Sequence, residues 1–260
     1  MRSSGYLTNM VTTKQEKRFA LLMAARDSDY VKTTYGGYYN VFVDAYGDQG
    51  ERWDLFRVID GEFPCSADIC MYDAFVISGS PNDAYGDEPW VMELCELLQK
   101  LDSMRKKLLG ICFGHQVLCH ALGGKVGKAE TGWDIGVREV TVVDEVPCGL
   151  KGESKVSMLC THHPILEIHQ DEVWEVPEEG EVVAYSEKTG VEVFAIQDRV
   201  LGIQGHPEYS KDILCNIIDR LVGNHTIDKD FAEETKLVLD KVEPDAKFWI
   251  HVCKKFLKNN

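Results

Sequence analysis

At 260 residues the chain has room for one sizeable α/β domain with a full hydrophobic core. Its hydrophobic (44%) and charged (27%) fractions are those of a globular chain and exclude the disordered and collagenous classes. A formal charge of −15, from 28 basic and 43 acidic side chains, argues against nucleic acid and anionic lipid as partners. An anionic substrate would need a local basic group set against that field.

The polar leader MRSSGYLTNMVTTKQEKRF reads as a loose tail over residues 1–18. The apolar run FALLMAA, Phe19 to Ala25, then suits a strand buried on both faces. Similar runs at Tyr39 to Ala45, Leu55 to Ile59, Ala74 to Ile77 and Leu108 to Ile111 predict further strands. Between the last two, Val91, Leu94, Cys95, Leu98 and Leu101 recur at helical spacing within Glu88 to Lys106. Strand, helix and strand in that order imply a parallel crossover. Residues Glu139 to Val143, Val156 to Leu159, Glu181 to Ser186, Val191 to Ile196 and Val200 to Ile203 are β-rich, and gaps such as Asp198-Arg199 predict hairpins that add antiparallel strands. A helix over Tyr209 to Leu221 closes the main domain, 19–223. Residues 224–260 read as a helical extension packed on it as a hairpin, broken at Glu243-Pro244-Asp245. No run of about 18 apolar residues exists, which excludes a transmembrane helix, and no apolar secretory core precedes the first strand, so the cytosol is the expected compartment. Nine cysteines, an odd number, then read as reduced thiols, most of them small buried hydrophobes.

Three segments carry the chemistry. In LLGICFGHQ an apolar strand meets Gly110-Ile111-Cys112-Phe113-Gly114 and runs into a helical pattern, the form of a nucleophile elbow in which the glycines permit a sharp turn. The helix N-terminus would stabilise a Cys112 thiolate, and the Phe113 N–H would face a developing oxyanion. In LGIQGHPE a strand ends on His206-Pro207-Glu208; positions i and i+2 of extended chain share a face, so the carboxylate can fix the imidazole tautomer while the other ring nitrogen takes the thiol proton. In VISGSPNDAYG a strand enters a turn whose Ser80 N–H, or Gly79 N–H if the loop is flipped, is the candidate for a second oxyanion donor, worth about 3 kcal/mol in the transition state. Each segment alone has a plainer reading: a cysteine packed between glycines, a surface turn, a loop.

Together and in this order the three segments resemble the class I glutamine amidotransferase family over Phe19 to Leu221. The resemblance implies a doubly wound, mostly parallel, flavodoxin-like α/β sheet with antiparallel additions, and a Cys112-His206-Glu208 triad. It also implies that Gln116 lines a γ-glutamyl pocket and that His169-Gln170-Asp171 forms a loop over it. Two departures stand out: the family's frequent G-G-P turn is Gly79-Ser80-Pro81, and its Q-F-H-P-E is Gln204-Gly205-His206-Pro207-Glu208, read as a wider or differently shaped leaving-group side. A narrower resemblance, carried by Lys32 to Pro64, VISGSPNDAYG, GICFGHQ, IQGHPEY and the acidic helical tail, is to the plant γ-glutamyl peptidases and spans nearly the whole chain after Met10. It implies hydrolysis of the γ-glutamyl amide of glutathione conjugates through a cysteinyl thioester, in sulfur-containing defence metabolism such as glucosinolate formation. A small-molecule substrate is then expected, with no cofactor, no metal and no obligatory protein partner.

Rival readings follow from the same residues. A glutaminase subunit delivering ammonia to a synthase partner would use the same triad, and a catalytically silent binding protein could share the fold. Cys112, His115 and Cys119 lie at i, i+3 and i+7 but lack a C-x-x-C or a fourth ligand at a usual spacing, which argues against zinc. His162, His163 and His169 read as loop or core histidines, and Gly36-Gly37 lacks the lysine of a phosphate loop.

Overall fold

The computed structural model describes residues 16–143 and 161–259. The strand expected at Val156 to Leu159, and all but the end of the tail expected over 1–18, lie outside the described residues.

The first apolar run forms β1 (Arg18–Leu22), followed by α1 (Asp29–Tyr35), whose N-terminus is capped by the Ser28 hydroxyl accepting from the Val31 N–H. The run predicted as a strand at Tyr39 to Ala45 is instead α2 (Tyr38–Tyr46). Its buried residues, Tyr38, Val41, Phe42 and Tyr46, recur at i, i+3, i+4 and i+8, a helical period that a continuous apolar run conceals. Gly36 ends α1 in the left-handed conformation and Gly37 opens α2, so the glycine pair is a corner between helices. Then come β2 (Arg52–Phe56), β3 (Ala74–Ile77), α3 (Pro89–Ser103), β4 (Lys107–Ile111) and α4 (Phe113–Ala121). The second half supplies β5 (Lys125–Lys128), β6 (Asp134–Val142), β7 (Thr161–His169), β8 (Asp171–Glu175), β9 (Glu181–Tyr185), β10 (Val193–Ile196) and β11 (Val200–Ile203). Three helices finish the chain: α5 (Lys211–Gly223), α6 (Lys229–Leu239) and α7 (Ala246–Lys258).

Among the described residues nine strands make one sheet in the order β2-β1-β3-β4-β11-β10-β9-β6-β7. The first five are parallel and the rest antiparallel, while β5 and β8 form a separate antiparallel ribbon. Because successive strand residues point to opposite faces, Phe19 and Leu21 enter the core beneath α2 and α7, and Ala20 and Leu22 enter the core beneath α3 and α4. Parallel strands covered on both faces need apolar side chains at nearly every position, which is why β1, β3 and β4 read as unbroken apolar runs.

The two C-terminal helices pack on separate parts of the molecule rather than closing as a hairpin. Helix α6 lies against α5 and β6, whereas α7 lies against α2, β4 and β7. Among the described residues no helix is long and apolar enough to cross a membrane. The seven described cysteines are free: Cys112, Cys119 and Cys253 are buried, Cys95 and Cys215 are partly buried, and Cys65 and Cys70 are exposed.

Candidate active site

Strands β3, β4 and β11 are neighbours, and their carboxyl ends carry Gly79, Cys112 and His206. Open α/β sheets place ligands at this edge. The tip of β4 is drawn in line by the Cys112 N–H, which donates to the Ile203 carbonyl at 2.8 Å before the chain turns into α4. Cys112 has φ 53° and ψ −106°, so the strain sits on the cysteine itself. The flanking glycines do a different task from the expected one. A Cβ on Gly110 would fall 2.3 Å from the Gly114 carbonyl oxygen, and one on Gly114 would fall 2.3 Å from the Ile77 carbonyl oxygen. They let α4 lie directly on β3 and β4.

His206 is buried, and its Nδ1 is 2.8 Å from Glu208 Oε1. Burial works against a charged ring, but the charges of Glu208 and Cys112 outweigh it and lift His206 to about 10 from the usual 6.5, while Cys112 Sγ is directed at the Ile168 carbonyl at 3.8 Å. Its two neighbours, Cys112 and Glu208, thus favour the charged ring. The other Glu208 oxygen, Oε2, accepts from the Tyr46 hydroxyl at 3.2 Å. Burial and the Glu208 charge hold Tyr46 well above the usual phenol range, so it stays a donor. Cys253 of α7 touches the same pair: burial first, then the Glu208 charge, raise its thiol. The Tyr209 ring stacks on the imidazole with centroids 4.0 Å apart and planes 5° apart.

Above these groups opens a cleft of about 590 Å³. Its walls include Gly79 and Ser80, Gln116 of α4, and the turn His169-Gln170-Asp171 between β7 and β8. Gly79 faces the imidazole so closely that a Cβ there would lie 3.0 Å from His206 Cε1 and 3.7 Å from Cys112 Cβ. Ser80 is tied into its own turn, its hydroxyl meeting Asn82 Oδ1 and accepting from the Asn82 N–H, both at 3.2 Å. Phe113 is the first residue of α4, where backbone N–H groups have no intrahelical acceptor, and its buried ring packs on Trp90. Gln116 Nε2 donates to the Asp171 carbonyl at 2.7 Å and to Gln204 Oε1 at 3.0 Å, joining α4 to the β7–β8 turn. Gly205 does not line the cleft. A Cβ there would fall 2.4 Å from Glu167 Oε1, so the place of the family's aromatic is filled from β7 and no room is added on the leaving-group side.

The residues set aside as zinc ligands diverge. His115 is buried against Phe194, where burial drives it down to about 3, and Cys119 Sγ is directed at the Glu175 carbonyl. His162 and His163 lie on β7; His163 stacks on Phe248 and meets Asp245 Oδ2 at 2.8 Å, fastening α7. The basic groups that sequence left unidentified are Arg26, Lys128 and Arg220 on the cleft walls. Tyr209 follows Glu208 directly and could have been picked out as part of the same segment. Tyr46 and Cys253 carry no local signal, because only the sheet's topology brings them to Glu208.

The sequence profile of the family described as glutamine amidotransferase class-I matches residues 56–213. Among curated proteins, γ-glutamyl peptidase 5 of Arabidopsis thaliana is 52% identical over 246 residues, covering 94% of this chain and 96% of that protein. γ-Glutamyl peptidase 3 of the same plant is 49% identical over 251 residues, covering 96% and 100%. Among solved structures, a glutamine amidotransferase from Thermotoga maritima superposes with a TM-score of 0.68 at 20% identity, covering 94% of this chain and 97% of that one, a likeness of fold.

Proposed function

We propose that this chain, which belongs to the class I glutamine amidotransferase family, is a γ-glutamyl peptidase in which Cys112 is the nucleophile, His206 the proton carrier and Glu208 its orienting carboxylate. The observation that carries the reading is the charge-coupled Cys112, His206 and Glu208 under an open cleft. The same arrangement lets His206 take the Cys112 proton as the thiolate attacks.

The γ-carbonyl of the substrate lies over Cys112 with its oxygen toward the Phe113 N–H and the Gly79-Ser80 turn. The thiolate adds to the carbonyl carbon, and the C=O π electrons move onto oxygen. As the tetrahedral adduct collapses, the C–N bond breaks and the departing amine takes the proton of the His206 imidazolium. A γ-glutamyl thioester and a neutral imidazole remain. A water then gives its proton to that imidazole and adds to the thioester; the C–S bond breaks, glutamate leaves, and the thiolate–imidazolium pair is restored. Glu208 stabilises the charged ring in both halves. Gln116, His169 and Gln170 hold the glutamyl end, and Arg26, Lys128 and Arg220 supply positive charge for substrate carboxylates on a protein whose overall charge is −15. Glutathione conjugates suit this site: they are γ-glutamyl amides whose departing amine belongs to the cysteinyl-glycine part. No step calls for a cofactor, a metal or a protein partner.

The experiment is incubation of the purified protein with glutathione, several S-conjugates and glutamine in separate reactions, with free glutamate followed by mass spectrometry. Release from conjugates in preference to glutamine is expected. Preference for glutamine would move the assignment to an ammonia-donating glutaminase, and release from none would overturn it.

A further inference from the structure

Behind the cleft wall lies a group of buried ionisable side chains that the reaction above leaves unused: Asp134 on β6, Glu167 and His169 on β7, and Glu192 just before β10. Asp134 is compensated, since its Oδ1 accepts from Arg138 Nε at 2.5 Å and lies 3.8 Å from Lys188 Nζ. Glu167 and Glu192 are different. Both are essentially sealed from solvent, and no N–H or hydroxyl donor in the described structure reaches any of their four carboxyl oxygens in hydrogen-bonding geometry. Two carboxyls buried without a donor, each disfavouring charge on the other, do not both ionise, so at least one keeps its proton.

The tautomer of His169 points the same way. Its Nδ1 lies 2.9 Å from the Asp171 carbonyl, which can only accept, so Nδ1 carries the hydrogen. Burial lowers this imidazole to about 4, so the ring is neutral and Nε2 is a bare acceptor. Among the described residues that Nε2 has no partner other than Glu167 Oε2, 3.5 Å away. Lone pair would face lone pair unless Glu167 brings a proton. Gly205 makes the placement possible, because any side chain there would occupy the position of the Glu167 carboxyl.

We propose that Glu167 is a neutral carboxylic acid in the working protein, its proton directed at His169 Nε2, and that it is a positioning residue which braces this cleft-wall imidazole. The inference rests on the peptidase reading only for the role of the cleft. The ionisable groups acting on Glu167 are Asp134 from β6, His169 on its own strand, Glu192 from the β9–β10 connection and Cys112 at the tip of β4, with Arg138 acting on Glu192 and Lys188 on His169. Burial, followed by the charges of Glu192, Asp134 and Cys112, pushes the Glu167 carboxyl well above its usual range.

The test is Glu167→Gln, which is permanently neutral and keeps a donor of the same shape. A raised carboxyl pKa means that the folded state keeps a proton the unfolded chain releases, so the parent loses stability as pH rises above the unfolded value of about 4.5. The melting temperature of Glu167→Gln relative to the parent should therefore climb steadily from about pH 5 to pH 8. In the infrared, the parent should retain a protonated-carboxyl band at about pH 8 that the variant lacks. Activity near neutral pH should stay within about threefold, whereas Glu167→Leu, neutral but without a donor, should lower kcat and Glu167→Gln should restore it. A melting difference that stays flat or shrinks with pH, or a parent without the infrared band, overturns the proposal. Should Glu167→Gln fail to fold, the band measured in the parent against Glu192→Gln decides the question. Melting and infrared readouts need no substrate, so an inactive protein with both signatures would refute the peptidase reading and leave this one standing.

Discussion

Replacing Tyr46 by Phe removes a single oxygen and tests whether the orienting carboxylate needs a second anchor. Tyr46 does not line the cleft and is fully buried, so no water can take the place of its hydroxyl beside Glu208 Oε2. Its ring stays held by the edge-on contact with Phe42, so the change is confined to the hydrogen bond. A hydrogen bond to a charged acceptor contributes about 1.5–3 kcal/mol, and at 3.2 Å the lower end applies. If Glu208 then wanders from the imidazole it orients, about 1.5 kcal/mol of transition-state stabilisation is lost, roughly a tenfold fall in kcat. Steady-state kinetics on the best γ-glutamyl substrate would show kcat down by about tenfold with KM within about twofold, since substrate does not touch Tyr46. A rise in KM with kcat intact, or parent-like kinetics in a folded variant, would refute the reasoning.

Gly79→Ala should keep the fold yet lower kcat by about tenfold, because its Cβ presses on His206 Cε1 at 3.0 Å and the ring is pinned between Tyr209 and Glu208; unchanged kcat with the new methyl visible in a crystal structure would contradict this. His206, lifted from 6.5 to about 10, stabilises the folded state fully below pH 6.5 and loses that contribution as pH rises through about 10. The melting gap between the parent and His206→Asn should accordingly narrow across that window, and a gap that widens would reverse the sign. Trp249→Ala empties a buried site that fastens α7 beneath β7 and should reduce stability by about 3–5 kcal/mol in chemical denaturation; a loss under about 1 kcal/mol would mean that α7 contributes little to the core.

Much of the architecture was legible because parallel strands covered on both faces leave continuous apolar runs, as at Phe19, Ala74 and Leu108. The same signature misleads where a helix is wrapped by neighbours, and α2 was read as a strand because Val41, Phe42 and Val43 look alike in either setting. The tips of β4 and β11 were legible for another reason: a nucleophile elbow and a histidine two residues before a carboxylate are local patterns whose chemistry depends on spacing along the chain. Groups supplied by distant segments left no such trace. Tyr46 reaches Glu208 from 162 residues away, and Glu167 faces Glu192 only because β7 and the β10 approach converge behind Cys112. Gly205 illustrates the limit from the other side: the absence of a ring was visible in sequence, but what fills its place came from another strand.

The most direct measurement is intact-protein mass spectrometry on a rapidly quenched reaction with a glutathione conjugate, followed by peptide mapping. A chain one γ-glutamyl unit heavier is predicted, with the added mass on the peptide bearing Cys112 and none formed by Cys112→Ala. The exposed Cys65 and Cys70 are the internal controls and should stay unmodified. Glutamate released by Cys112→Ala at the parent rate, or an adduct mapped to another residue, would contradict the account.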